Sequence, residues 1–168
     1  SRGSMSKEFI IGNFKNKILH DTVYISGNSW YARLCQDINT EVHSYSLIDS
    51  EYPEKTKMIT NQAKSAVENH PNKRLIVHYM LPHAPYIGKT AKKKFPDIET
   101  QRNRLFADLR TNNVDISDNE LKRAYRENLR IVLPRVAELL NIFPGKTVVT
   151  ADHGELLGDR ISPIPYRE

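Results

Sequence analysis

The sequence predicts an α/β fold in which helices flank a mostly parallel central sheet. Two β-rich segments, residues 21–26 and 73–80, are apolar enough to be strands inside a sheet, and a helical pattern over residues 54–69 separates them. A third β-branched run, residues 147–150, follows a long amphipathic segment. This alternation of strands and helices is typical of parallel sheets, because each parallel connection must cross back over the sheet.

Length and composition limit the possibilities further. With 168 residues and 39% hydrophobic side chains, the chain can bury one core, and we expect a single domain over residues 1–168. No apolar run is long enough to span a membrane.

The net charge of +5 indicates an anionic partner only weakly, and no nucleic-acid-binding motif accompanies it. The single cysteine, Cys35, excludes an internal disulfide and favours a reducing compartment such as the cytoplasm. The composition leaves the oligomeric state open.

The first quarter of the chain is predicted to alternate helix and strand. Residues 6–14 begin with Ser6 in a capping-box pattern and carry apolar side chains at helical spacing, which indicates a short helix. The alternating residues 21–26 indicate a strand. Weaker patterns predict a short helix over residues 30–38 and an extended or strand segment over residues 41–48.

The second convincing strand leads into a loop that contains a histidine. Residues 54–69 predict a helix that packs on the core, and residues 73–80 predict a strand in the middle of the sheet. Pro82 and Pro85 stop this strand and place His83 between them on a loop. His83 is either a surface histidine or a functional one. His78, inside the strand, is more simply a structural residue.

Residues 87–117 are a polar, basic insertion, which we interpret as a solvated connection or lid with a short helix over residues 99–109. Its lysines could attract an anionic substrate, although simple exposure also explains them. Ser117 and Glu120 then form a capping box for a long amphipathic helix that ends near residue 141.

The run at residues 147–151 ends in Asp152-His153-Gly154-Glu155. A buried strand here would deliver a carboxylate and an imidazole to the sheet edge where open α/β sheets bind ligands. We expect Gly154 to allow a sharp turn that lets both side chains face one way, and this ligand pair is suited to a metal ion. Alternatively, Asp152 caps a helix in which Glu155 is the third residue.

The longer string over residues 148–160, Val-Val-Thr-Ala-Asp-His-Gly-Glu-Leu-Leu-Gly-Asp-Arg, resembles the metal-binding segment of the alkaline phosphatase and sulfatase superfamily, including archaeal sulfatase-like proteins. The Pro-His-x-Pro-Tyr segment around His83 is similar to one in many sulfatase-like enzymes. The resemblance implies a partial alkaline-phosphatase-like fold and a metal-dependent hydrolase or transferase of phosphate or sulfate esters. It also implies Asp152 and His153 as metal ligands, and His83 as a contact to the anionic group or leaving oxygen of a small anionic ester.

Two parts of that family's site are not recognised in the sequence: a first strand with an Asp ligand and the nucleophile, and a further His ligand after His153. The segment at Cys35 lacks the Pro and Arg of the sulfatase motif, so no nucleophile is assigned. Two ligands predict weak metal binding, and the missing nucleophile predicts little or no turnover of p-nitrophenyl phosphate or sulfate. We therefore expect either a fragment of a larger enzyme or a short relative that has lost activity.

The second ligand, His153, indicates which metal ion the site prefers. An imidazole at His153 favours zinc or manganese over calcium, which prefers oxygen ligands. The alternative from a different class is a non-catalytic α/β domain that binds an anion or a protein partner through its basic insertion. A nucleic-acid-associated domain is a weaker third hypothesis.

Overall fold

The secondary structure before residue 80 follows the predicted alternation of helices and strands. The computed structural model describes residues 3–95, 97, 98, 101, 105, 107–109, 111, 113–155, 157–160 and 165–167, and for residues 158–160 and 165–167 it describes the backbone alone. In chain order the first elements are α1 (Ser6–Phe14), β1 (Ile18–Ser26), α2 (Trp30–Leu34), β2 (Glu41–Leu47), α3 (Glu54–Asn69) and β3 (Arg74–His78). The predicted helices and strands of this region are confirmed, with bounds that differ by a few residues.

The predicted long helix of the second half is confirmed as well. The later elements are α4 (Lys89–Lys94), α5 (Asp118–Leu140), β4 (Leu157–Arg160) and β5 (Pro165–Arg167). The predicted capping box begins α5, because the Ser117 backbone N–H and Oγ donate to Glu120 Oε2 at 2.9 and 2.8 Å. Within the helix predicted at residues 99–109, Gln101, Leu105 and residues 107–109 are helical, and the others lie outside the described residues.

A parallel sheet forms the centre of the first of two compact units. This unit contains Ser1–Tyr79 and Pro134–Gly154, and the second contains Met80–Leu133 and Glu155–Glu168. Over the described residues, the sheet has three parallel strands in the order β2-β1-β3. Its register pairs Ser26 of β1 with Leu47 of β2 and with His78 of β3, so the strands end at one level. The general α/β class is therefore confirmed by the first unit.

Both faces of β1 are buried over residues 22–26, as the centre of a parallel sheet requires. Alternate side chains face opposite sides of the sheet, so Val23 and Ile25 pack on one side and Tyr24 on the other. The first side is completed by Ile59, Ala63, Ala66 and Leu139. The other side is completed by Ile10, Phe14, Tyr31, Ile38 and Val42. Helices thus cover each face of the strand that leads to the sheet edge.

The second unit builds its core largely from residues 87–117. The buried side chains that this segment contributes are Ala91, Phe95, Leu105, Leu109 and Ile116. They pack with Ala84, Tyr86, Leu121 and Ala124, while Lys92, Lys93 and Lys94 are exposed. The interpretation of the segment as a solvated connection missed this core. The apolar residues of the segment are few, and they lie between lysines and other polar residues. β4 and β5 pair antiparallel in the same unit.

The predicted buried strand over residues 147–150 is wrong. Residues 147–151 belong to no strand, and Val148 and Val149 are 83% and 59% exposed. β-branched residues favour extended backbone, but a buried strand also needs a neighbouring strand that accepts its hydrogen bonds. The described sheet ends at β3, and the run does not add to it.

Candidate functional site

The structure brings the side chains of Asp152 and His153 together, although no strand delivers them. Both lie in a bend of the first unit and are largely buried. The His153 backbone N–H donates to Asp152 Oδ1 at 3.0 Å, and His153 Nε2 lies 3.7 Å from the same oxygen. The two side chains therefore face each other instead of diverging as neighbours on a strand would.

The expected role of Gly154 in this bend is wrong. Its φ lies outside the left-handed region, and a Cβ built there would meet nothing within 4 Å. The bend is stabilised instead by the bond from the His153 backbone N–H to the Asp152 carboxylate. The alternative in which Asp152 caps a helix is also wrong, because residues 153–155 are not helical and residue 157 begins β4.

The hydrogen bonds of His153 define its tautomer. Its Nδ1 lies 2.9 Å from the carbonyl oxygen of Gly154. A carbonyl only accepts, so Nδ1 carries the hydrogen and Nε2 of the neutral ring carries a lone pair. This lone pair is on the side of the ring that faces Asp152 and Ser6. Metal-binding histidines commonly donate their second ring N–H to a carbonyl or carboxylate in this way.

The residues present fit a weakly held divalent ion. Two ligand atoms at bond lengths of about 2.0–2.2 Å from one ion can lie up to about 4 Å apart. The 3.7 Å between Asp152 Oδ1 and His153 Nε2 is within that limit. Across the described part of the chain, no group of three or more His, Cys, Asp or Glu side chains is arranged to hold a metal ion. Two side chains therefore define the candidate ligand set.

A third polar group, the Ser6 hydroxyl, belongs to this cluster. Ser6 Oγ donates to Asp152 Oδ2 at 2.6 Å and lies 3.4 Å from His153 Nε2. The predicted capping by Ser6 is wrong, since Met5 is the N-cap residue of α1 and Ser4 forms the bonds to Glu8. This leaves the Ser6 hydroxyl to bind Asp152. The sequence interpretation missed it because 146 residues separate the two positions.

His78 and Tyr24 support the carboxylate from the end of the sheet. His78 Nε2 lies 3.7 Å from Asp152 Oδ2, and Tyr24 Oη lies 2.8 Å from His78 Nδ1. Burial, above all, raises the pKa of Tyr24, so its phenol stays protonated and can donate to Nδ1. Nε2 then carries the imidazole hydrogen on the side of the carboxylate. Burial also lowers the pKa of His78, which keeps the ring neutral near pH 7.

His83, the third predicted site residue, belongs to the second unit. There its Nδ1 is hydrogen-bonded to the carboxylate of Glu155. Asn128 holds the backbone of the same loop, because its Nδ2 donates to the carbonyl oxygens of Pro82, His83 and Pro85 at 3.2, 3.2 and 3.1 Å. The sequence interpretation assigned no chemistry to Glu155 or Asn128.

Comparisons with known proteins leave the family assignment as a prediction. No family model matches this chain, and no curated protein and no solved structure matches it. No helix in the described part of the chain is both long and apolar enough to cross a membrane. The functional interpretation therefore depends on the geometry of the site and on the motif at residues 148–160.

Proposed function

We propose that this chain is a metal-dependent hydrolase or transferase of phosphate or sulfate esters, with a partial alkaline-phosphatase-like fold. The observation that supports this most is the convergence of the Asp152 carboxylate, the His153 Nε2 lone pair and the Ser6 hydroxyl. These groups supply two metal ligands and an oxygen nucleophile. They lie beside His78, the last residue of β3, in the region where parallel sheets bind ligands.

Asp152 and His153 would hold the metal, and zinc or manganese suits this oxygen and nitrogen pair better than calcium does. When bound, such an ion polarises the ester and stabilises the charge that develops on the leaving oxygen. The remaining chemistry is carried out by side chains of the chain itself. The Asp152 carboxylate orients the Ser6 hydroxyl, and His78 packs against that carboxylate.

Ser6 is the proposed nucleophile. Its Oγ forms a bond to the phosphorus or sulfur atom while the bond from that atom to the ester oxygen breaks. The alcohol oxygen leaves with the bonding electrons and takes a proton from solvent. The Ser6 proton passes to Asp152 Oδ2, to which the hydroxyl already donates. In the second step the oxygen of water bonds to the phosphorus or sulfur atom while the bond from that atom to Ser6 Oγ breaks. Ser6 Oγ takes the proton back from Asp152, and the proton lost by the water goes to solvent. An alcohol in place of water gives transfer.

Metal binding is tested by calorimetric titration of the metal-free chain with zinc and with manganese. We expect weak binding that Asp152→Ala abolishes, because half of the two-residue ligand set is removed. Asp37→Ala, which removes an exposed carboxylate from the same unit, should bind like the wild type. Binding that is absent, or equal in Asp152→Ala, would contradict the proposed metal site.

The nucleophile is tested by incubating the chain with p-nitrophenyl phosphate and manganese, followed by peptide mass spectrometry. We expect one phosphoryl group on Ser6, and none in Ser6→Ala, while Ser65→Ala on α3 behaves like the wild type. Two ligands favour slow turnover, so the covalent product is a sharper measurement than steady-state release of p-nitrophenol. A phosphoryl group that still forms in Ser6→Ala would exclude Ser6. Anion binding without metal or covalent product would support the non-catalytic alternative.

A further inference from the structure

Three histidines and a lysine of the first unit lie together toward the edge of the parallel sheet where the strands begin. His20 lies in β1, His43 in β2, His70 follows α3, and Lys73 directly precedes β3. The candidate site lies beside His78, the last residue of β3, at the opposite ends of these strands. The four side chains therefore form a separate group, which we call the basic cluster.

The pairing of β1 with β2 places two of the histidines on one face of the sheet. Leu19 pairs with Val42, and both pack in the core on the side of α1. The next residue of each strand faces the other side, so His20 and His43 both face the side on which α3 packs. The register of β1 then shifts before Val23, which packs on the side of α3 as well.

Contacts hold the members of the basic cluster close together. The rings of His43 and His70 meet edge to face, with their centroids 5.1 Å apart. Lys73 Nζ donates to the backbone carbonyl oxygen of His20 at 2.8 Å. Within the part of the chain that the structure describes, this bond uses one of the three ammonium hydrogens, so two remain for a ligand.

The charges of the basic cluster are not balanced by an acidic side chain. Among the described residues, the charged groups that act on His43 are the other members of the cluster, Lys73, His70 and His20. Burial first, and then these charges, lower the pKa of His43. The carboxylate of Asp21, which follows His20, is already paired with Arg74, whose Nε lies 2.9 Å from Asp21 Oδ2. Protonation of the histidines therefore adds positive charge that only a ligand can offset.

The chemistry of the basic cluster suits a small oxyanion. Imidazolium and ammonium groups donate N–H bonds, and the oxygens of sulfate or phosphate accept several such charge-assisted bonds at once. A metal ion suits the cluster less, because the Lys73 ammonium would repel it. Over the described residues, no three His, Cys, Asp or Glu side chains are arranged to hold a metal ion.

We propose that His20, His43, His70 and Lys73 form a binding site for a dianionic oxyanion, sulfate or phosphate, which fills as the histidines become protonated. Proton uptake and anion binding are then linked, and each strengthens the other by the same factor. The site uses none of the residues of the proposed ester chemistry and does not depend on the proposed function.

The test is an NMR titration of the histidine signals of the full, metal-free ¹⁵N-labelled chain, in which sodium sulfate replaces sodium chloride at constant ionic strength. Sulfate remains dianionic between about pH 5.5 and about pH 8, so a change in affinity over this range reports protonation of the protein. At about pH 5.5 we expect saturable shifts of the His43 and His70 signals. At about pH 8 we expect sulfate to bind at least about tenfold more weakly.

Two variants assign the binding to the basic cluster. Lys73→Gln removes the permanent positive charge, and His43→Gln removes a side chain that becomes charged. We expect each to weaken sulfate binding at about pH 5.5 by about tenfold, because a charge-assisted hydrogen bond is lost. Lys57→Gln removes an exposed charge near the other end of α3 and should bind like the wild type.

The signals of His78 and His153 report whether each variant is folded. Shifts of the cluster histidines that do not saturate, or equal affinity at the two pH values, would overturn the proposal. So would saturable shifts of His153 in place of the cluster, or a folded Lys73→Gln that binds like the wild type. A misfolded His43→Gln leaves the pH comparison and Lys73→Gln to decide. Neither metal nor ester is used, so a failed metal titration would overturn the proposed function and leave this site standing.

Discussion

Asn128 shows how one buried amide can determine the shape of the loop that carries His83. Its side chain is 0% exposed, and its four hydrogen bonds go to the backbone of residues 82–87. Two prolines in that loop reduce the number of N–H groups available for regular backbone bonding. The loop carbonyls therefore depend on a side-chain donor, and a long helix is a rigid place from which to supply it.

Replacement of Asn128 by Asp tests this dependence with almost no change in shape. The substitution removes the Nδ2 donors and turns an oxygen toward three carbonyls, so buried acceptors lose their partners. Each buried group left unpaired costs about 1–3 kcal/mol, and we expect the free energy of unfolding to fall by about 3 kcal/mol. Urea unfolding measures this, with Asn119→Asp at an exposed position of the same helix as control. A loss below about 1 kcal/mol would contradict the role assigned to Asn128.

At the scale of elements, two patterns predicted structure well: apolar side chains at helical spacing for the helices, and apolar, β-rich runs for the strands inside the sheet. The helices α1, α3 and α5 and the strands β1 and β3 were predicted from such patterns. Residues 147–151 show the limit of the method, because their composition indicates extended backbone but does not show whether a neighbouring strand is present. Likewise, the core of the second unit comes partly from short segments in which a few apolar residues lie among lysines.

A pair of substitutions tests the placement of residues 147–151. Ile25 of β1 is 0% exposed, and Ile25→Ala should cost about 2–5 kcal/mol, as removal of a buried aliphatic side chain usually does. Val148 is 83% exposed, so Val148→Ala should change the stability by no more than about 0.5 kcal/mol. Thermal or urea unfolding of the two variants compares them directly. If Val148→Ala were as damaging as Ile25→Ala, the run would be a buried strand after all.

The site could be predicted only as far as neighbouring residues define it. Asp152 and His153 are adjacent in the sequence, and the structure brings their side chains together. Ser6, the first residue of α1, donates to the Asp152 carboxylate. From the sequence alone, a serine at the start of a helix is more often explained as a capping residue. The contact between Glu155 and His83 could not be predicted from the sequence either, because it depends on how the second unit folds. Contacts between distant residues follow from tertiary structure and leave no local pattern.

For the molecule as a whole, carboxylates paired in the folded state link stability to pH. Hydrogen bonds from Ser117, and then from Lys94, lower the pKa of Glu120 from 4.5 to about 2. The bond to Arg74 lowers the pKa of Asp21, and the bond to Lys64 lowers that of Glu138. Asp21 is exposed, and Glu120 and Glu138 are half-buried but still reach solvent, so each contributes modestly and salt weakens the contribution. Each lowered pKa stabilises the folded state at neutral pH, and such carboxylates occur in both units.

Acid should therefore destabilise the metal-free chain progressively. A carboxyl group whose pKa is lower in the folded state stabilises the fold above its unfolded pKa, and this stabilisation is lost as pH falls toward the folded value. The net charge of +5 also becomes more positive as carboxylates are protonated, and the resulting repulsion favours unfolding. We expect the urea midpoint to fall between about pH 5 and about pH 2, and to fall less steeply in Glu120→Gln. A midpoint that stays constant over this range would show that these pairs do not stabilise the fold.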